Sequence, residues 1–129
     1  MRYMGIDYGT KRVGIALSDE AGVMGFPHAV MANDHRLLDD VAHLIKEREV
    51  GAIVIGESLN YQGGENAVME AARSFVAELA ERTGVPVHFE PEMLTTQEAK
   101  RDGEGVHHSR GIVDSSAAAI ILTSFLSRA

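Results

Sequence analysis

The chain of 129 residues has no cysteine, which excludes a disulfide framework and any thiolate-held metal. That absence fits a reducing compartment. Long apolar runs are missing as well. The longest, Ala117 to Leu122, falls far short of the roughly 18–20 residues that a membrane-spanning helix needs. The N-terminus lacks a charged segment followed by an apolar stretch, so no signal peptide is expected, and a cytoplasmic location follows. There is no internal repeat, low-complexity tract or linker, and the length suits a single domain over 1–129. Positive charge is scarce: 12 Lys and Arg face 19 Asp and Glu, for a formal net charge of -7. Such a balance argues against holding nucleic acid by bulk electrostatics. Local groups would have to do it: Lys11 and Arg12, and later Lys100, Arg101 and Arg110. Each of these also fits an ordinary solvated mixed-charge surface.

What is present begins with a strand-like run, Tyr3 to Asp7, that ends on a carboxylate. Tyr8 to Arg12 turn the chain, and Val13 to Asp19 read as a second strand. A third runs from Val23 to Met31, where Pro27 points to an edge position or a bulge. An apolar edge strand of this kind could pair with a second copy, giving a homodimer. Asn33 or Asp34 can cap a helix whose apolar residues Leu37, Leu38, Val41, Leu44 and Ile45 recur at helical spacing. Gly51 to Gly56 is a short continuous apolar run, as expected of a strand buried on both faces. After a polar loop, Glu57 to Gly64, a second amphipathic helix puts Val68, Ala71, Ala72, Phe75, Val76 and Leu79 on one face, and Gly84 stops it. Val85 to Phe89 reads as the last strand, Thr95 opens a short helix with a capping box to Glu98, and Ile112 to Ser127 form the final helix. Three strands followed by alternating helices and strands predict a mixed five-stranded sheet, its first three strands antiparallel, with helices on both faces.

In such sheets ligands bind beyond the carboxyl ends of the parallel strands. Asp7 lies at one such end, and Glu90 and Glu92 follow the fifth strand. Asp114 lies near the start of the final helix, which is apolar almost all round and so is expected to pack flat on the sheet. Asp7, Glu92 and Asp114 can then share one or two Mg²⁺ or Mn²⁺ ions, which favour hard oxygen ligands. Simpler roles exist for each: an Asx turn for Asp7, an exposed loop acid for Glu92, a helix N-cap for Asp114. Asn60 and Gly63-Gly64 precede a helix, where backbone amides could meet a phosphate or merely form a turn. His107 and His108, adjacent on a polar loop, point differently and make a poor metal pair.

Together these residues resemble a known family. Gly5-Ile6-Asp7-Tyr8-Gly9-Thr10-Lys11-Arg12-Val13-Gly14-Ile15-Ala16-Leu17-Ser18-Asp19 is similar to the N-terminal signature of the YqgF-type proteins. These are Holliday-junction-resolvase-like nucleases linked in bacteria to maturation of the 5′ end of pre-16S ribosomal RNA. Ile53 to Gly56 with Leu59-Asn60 and Gly63, then Leu94 to Ala99, then Val113 to Ala118, resemble the later blocks in order. The resemblance implies an α/β, ribonuclease H-like fold and an acidic triad at Asp7, Glu92 and Asp114. Two departures stand out. Pro91-Glu92-Met93 replaces the usual Asp-Glu-Arg, and Glu57-Ser58 stands where Leu-Pro is usual. The Glu survives while its flanking acid and its fixed cation do not.

The resemblance therefore implies a two-metal-ion phosphodiesterase acting on structured RNA, or alternatively on branched DNA. Asp7, Glu92 and Asp114 would serve as metal ligands and catalytic groups, with Lys11, Arg12, Asn60, Lys100, Arg101 and Arg110 on the substrate. Two other classes share features with it. The turn Asp7 to Thr10 resembles the phosphate hairpin of actin-like ATPases, but one short lobe cannot enclose ATP. A non-catalytic RNA-binding assembly module with a degenerate site would fit the Pro91 and Met93 departures.

Overall fold

The computed structural model describes residues 1–57, 67–91 and 110–128, with side chains from residue 115 onward in the last segment. Its elements are β1 (Arg2–Tyr8), β2 (Arg12–Ser18), β3 (Gly25–Ala32), α1 (Leu37–Glu47), β4 (Val50–Glu57), α2 (Ala67–Thr83), β5 (Val87–Pro91) and α3 (Arg110–Arg128). The strands form one sheet in the order β3-β2-β1-β4-β5. β1 pairs antiparallel with β2 and β2 with β3, whereas β1–β4 and β4–β5 are parallel. The expected mixed five-stranded sheet is therefore present. β3 lies at the edge, and Pro27 sits next to a register irregularity opposite Ile15 and Ala16. Proline has no N–H to give a ladder, so both features follow from one residue.

Alternation along the strands sends side chains to two separate cores. Met4 and Ile6 of β1, Val13, Ile15 and Leu17 of β2, and Ile53 and Ile55 of β4 pack with Leu37, Val41, Leu44 and Ile45 of α1 and Met69, Val76 and Leu79 of α2. The opposite face carries small residues. There Ala16 and Val54 pack against Ala118, Ala119, Ile121, Leu122 and Leu126 of α3. β4 is buried on both faces, which is why its sequence is an unbroken apolar run. Each fully buried Ile or Leu contributes about 1.5–3 kcal/mol relative to exposure, so both layers are needed to hold the sheet between them.

Several local expectations shift. The first turn of α1 is not capped by Asn33 or Asp34; Arg36 occupies the N-cap and makes no side-chain cap bond. The Asp34 Oδ1 instead accepts the Arg36 N–H at 3.0 Å, and Asn33 is used elsewhere. On α2, Met69 is buried and Ala71 exposed, so the apolar stripe is rotated from the one expected. β3 starts at Gly25 rather than Val23 because Asp19 organises the preceding turn. Its Oδ1 accepts the amides of Val23 (2.8 Å) and Met24 (3.2 Å), and these bonds hold its carboxyl below the usual carboxylate range. β5 runs from Val87 to Pro91 instead of Val85 to Phe89. Gly84 still closes the helix with an N–H to the Ala80 carbonyl (2.7 Å), and Pro86 has no N–H to donate. Glu90 thus lies within the strand rather than after it. α3 begins at Arg110, so Asp114 is inside the helix and is not its N-cap. The short helix expected at Thr95 lies outside the described residues.

Candidate active site

The three parallel strands end together. Register pairs Ile6 with Ile55 and Ile55 with Phe89, then Gly56 with Glu90 and Glu57 with Pro91. Asp7 stands at the carboxyl end of β1, half-buried, and is paired across the antiparallel ladder with Gly14. Gly14, the ladder partner of Asp7, has no side chain, and neither has Gly56, which follows Ile55 on the neighbouring strand.

The face of the sheet that Asp7 occupies is fixed by Gly5, two residues earlier. A Cβ on Gly5 would sit 2.8 Å from both the Ala118 carbonyl oxygen and the Leu122 Cβ, so Gly5 faces α3 at contact distance. Tyr3, on the same face, meets Phe125 with ring centroids 6.1 Å apart. Contacts along β1 thus run against the helix number: Phe125 at Tyr3, Ala118 and Leu122 at Gly5. The N-terminal half of α3 extends toward the Asp7 end of β1. Position 114 lies one turn before Ala118 (about 6 Å of rise), and Asp7 lies two strand residues beyond Gly5 (about 6.6 Å). The C-terminal half leans over β5, where His88 meets Phe125 at 5.1 Å.

The turn that follows Asp7 is held from outside. The Asn33 side-chain amide donates to the Gly9 carbonyl (2.8 Å), and its backbone N–H donates to the Lys11 carbonyl (2.9 Å). Gly9 fits there because a Cβ would lie 2.6 Å from the Arg12 carbonyl oxygen. Lys11 is exposed and Arg12 half-buried at this edge. Asn33 was legible only as a capping residue, since nothing local in the sequence signals a bond across 24 positions. On the other face, α2 braces the same edge: Tyr8 packs on Phe75 (5.4 Å), and Arg73 lies over Phe89 (4.6 Å) while donating to Glu57 (2.7 Å).

Of the residues expected at the site, Asp7, Lys11 and Arg12 are placed at this edge. Asp114 and Arg110 are placed by backbone alone, at the start of α3. Glu92, Asn60, Lys100, Arg101, His107 and His108 lie outside the described residues. No group of three or more His, Asp or Glu able to hold a metal occurs among the described residues. A cavity of about 520 Å³ between α1 and α2, lined by Asp39, His43, Lys46 and Arg82, opens near Val50, at the opposite end of β4. On its lining Arg82 pairs with Asp39, and His43 lies 3.4 Å from Glu47 one helical turn on.

Comparison with known proteins agrees with this architecture. Curated relatives named "Putative pre-16S rRNA nuclease" include one from Anaeromyxobacter sp. (strain Fw109-5), 41% identical over 98% of this chain and 96% of the relative. Another, from Oleidesulfovibrio alaskensis, is 37% identical over 98% and 92%. Among solved structures, Thermus thermophilus RuvC in complex with a Holliday junction substrate superposes with a TM-score of 0.67 at 22% identity, covering 99% of this chain and 96% of that one. The fowlpox virus Holliday junction resolvase gives 0.60 at 10% identity over the full length of both. At these identities the structural likeness establishes the fold, a ribonuclease H-like mixed sheet. The RuvX family model, described as Holliday junction resolvase, matches residues 1–128, and with relatives this similar over nearly their whole length the chain belongs to the RuvX family.

Proposed function

We propose that this chain is a metal-dependent endonuclease, acting as a single domain over 1–129, that hydrolyses phosphodiester bonds at the 5′ end of pre-16S ribosomal RNA in the cytoplasm. The observation that carries the reading is the placement of Asp7: a carboxylate at the end of a central parallel strand, paired with Gly14, on the face covered by the helix that bears Asp114. The relatives' shared name supplies the substrate class.

The donor set fits a hard divalent cation. Asp7, Asp114 and Glu92 would hold Mg²⁺ or Mn²⁺ through carboxylate oxygens. When bound, such ions supply the Lewis-acid chemistry of phosphodiester hydrolysis. The chain's own residues do the rest. The rigid strand fixes the direction of the Asp7 carboxylate, and the Asn33-braced turn presents Lys11 and Arg12 to the phosphate backbone. Asn60, Lys100, Arg101 and Arg110 would extend that contact.

With a net charge of -7, binding without divalent cations is weak and salt-sensitive. Lys11→Ala should weaken RNA binding about equally across sequences and reduce the slope of log affinity against log salt by about 0.7–0.9. A filter-binding series at graded KCl reads both quantities, and an unchanged slope removes Lys11 from the phosphate contacts.

The solved neighbours with Holliday junctions favour branched DNA as a second substrate reading. The deciding experiment titrates Mg²⁺ and Mn²⁺ in cleavage assays on a pre-16S leader RNA and on a four-way DNA junction. Cleavage of the RNA alone, dependent on the metal, supports the proposal. Cleavage of the junction alone assigns the chain to DNA. Tight RNA binding with no cleavage at any metal concentration replaces the enzyme with a non-catalytic assembly module. No helix among the described residues is long and apolar enough to cross a membrane.

A further inference from the structure

The described basic side chains divide between the two ends of the sheet. Arg2, Lys46, Arg48 and Arg82 belong to the end opposite Asp7. Arg73 is at the Asp7 end, where Glu57 and the Phe89 ring hold it. Lys11 and Arg12 lie in and just after the turn that follows Asp7, and a further cation, Arg36, comes to the same edge. It does so because β3 runs antiparallel to β2 and ends at Ala32, opposite Arg12. The connection that follows, residues 33–36, is stitched to the β1–β2 turn by two N–H groups of Asn33. The side-chain amide donates to the Gly9 carbonyl (2.8 Å) and the backbone N–H to the Lys11 carbonyl (2.9 Å).

The Arg36 side chain is 72% exposed. Its guanidinium lies 3.7 Å from the Asp34 Oδ2, beyond hydrogen-bond range, while the Asp34 Oδ1 accepts the Arg36 backbone N–H at 3.0 Å. An exposed pair this loose contributes little, so the planar fork of donors can turn to a phosphate. Of the acids in the first turn of α1, Asp39 is engaged by Arg82. Asp40 lies one turn beyond Arg36, about 6 Å further from the edge. Neighbouring strands are about 4.8 Å apart, so the end of β3 stands about 10 Å to the side of β1. A duplex strand advances about 3.4 Å per nucleotide, so Asp7, Lys11–Arg12 and Arg36 span about three nucleotides along the edge. We propose that Lys11, Arg12 and Arg36 form one phosphate-binding track, which carries the substrate strand away from Asp7 across the ends of β2 and β3. Asn33 is the positioning residue that holds the two halves of the track together. This rests on the reading of Asp7 as the centre of nucleic-acid cleavage. A chain of net charge -7 can hold a polyanion when its cations are gathered on one path. Such contacts fix where the strand lies and carry no sequence information.

The test measures binding of a pre-16S leader RNA and of a four-way DNA junction at graded KCl, with cleavage kinetics on the same two probes. Arg36→Ala should weaken binding about fivefold to tenfold at low salt. It should also lower the slope of log affinity against log salt by about 0.7–0.9, the signature of one phosphate contact. KM should rise by more than kcat falls. Arg36 makes no side-chain cap bond, so Arg36→Ala should melt with wild type. Lys46→Ala removes the same charge from the far end of α1 and should leave affinity and slope unchanged, which separates a contact from a change in net charge. Lys11→Ala and Arg36→Ala together should lower the slope by the sum of the single effects, because the two meet different phosphates. Asn33→Ala should also lower the slope although it removes no charge, a result that a merely structural role would not give. A wild-type slope and KM for Arg36→Ala, or an equal loss for Lys46→Ala, would overturn the track. A wild-type slope for Asn33→Ala would overturn the role of Asn33. If wild type cleaves neither probe while Arg36→Ala still lowers the slope, the nuclease reading fails and the track stands. If neither probe binds, both fail.

Discussion

Asp7→Asn should reduce metal-dependent cleavage by at least about a thousandfold, some 4 kcal/mol of transition-state stabilisation at 1.36 kcal/mol per decade. The amide is isosteric with the carboxylate, and Asp7 is only half-buried, so the loss must come from charge and ligand strength rather than from a collapsed site. Stability provides an independent reading. On the proposed reading, Asp7 repels Glu92 and Asp114 when no cation lies between them, so the metal-free protein should lose little or no melting temperature after the substitution. Saturating Mg²⁺ or Mn²⁺ should raise the melting temperature of wild type, because the cation binds only the folded state, and should leave the Asp7→Asn variant unmoved. Cleavage assays and thermal melts with and without metal check both halves. A variant that cleaves at the wild-type rate removes Asp7 from the chemistry.

The part of the site that could be read in advance is the part encoded locally. Asp7 was visible because a carboxylate ending an apolar strand among small residues conflicts with ordinary strand patterning. β4 was visible because burial on both faces leaves no polar positions, and the edge placement of β3 followed from Pro27. The residues that went unread act across the chain. Asn33 looks like a helix cap in isolation, yet its side chain secures the turn at Gly9. Glu90 reads in the sequence as an acid that follows the fifth strand, and only the shifted bounds of β5 make it internal. Its partner Ser124 is 34 positions away, and Arg128 stands in the last turn of a helix, where a basic residue also complements the helix dipole. Periodicity shows that a face is covered; it does not show which element covers it or which polar groups that element supplies.

Gly5→Ala should be the most disruptive single-methyl change in the sheet, costing about 3 kcal/mol of stability through overpacking. The added Cβ would lie 2.8 Å from the Ala118 carbonyl oxygen and 2.8 Å from the Leu122 Cβ. Neither atom is the free end of a flexible side chain, so no rotamer change relieves the contact. Either α3 rises from the sheet or β1 bends. A helix displaced in this way also loosens the small-residue core formed by Ala16, Val54, Ala118 and Ile121, and the melting temperature should drop by about 10 °C. Function should suffer separately. Position 114 is one turn from Ala118, and Asp7 is two residues from Gly5, so the methyl wedges apart the two elements that carry those carboxylates. A misplacement of about 1 Å at a catalytic group can cost about a hundredfold in rate. Cleavage by Gly5→Ala should therefore fall by about tenfold or more at temperatures where circular dichroism shows it fully folded, and denaturant melts give the stability term. Wild-type cleavage by a destabilised but folded Gly5→Ala would mean that the height of α3 above β1 matters to the fold and not to the site.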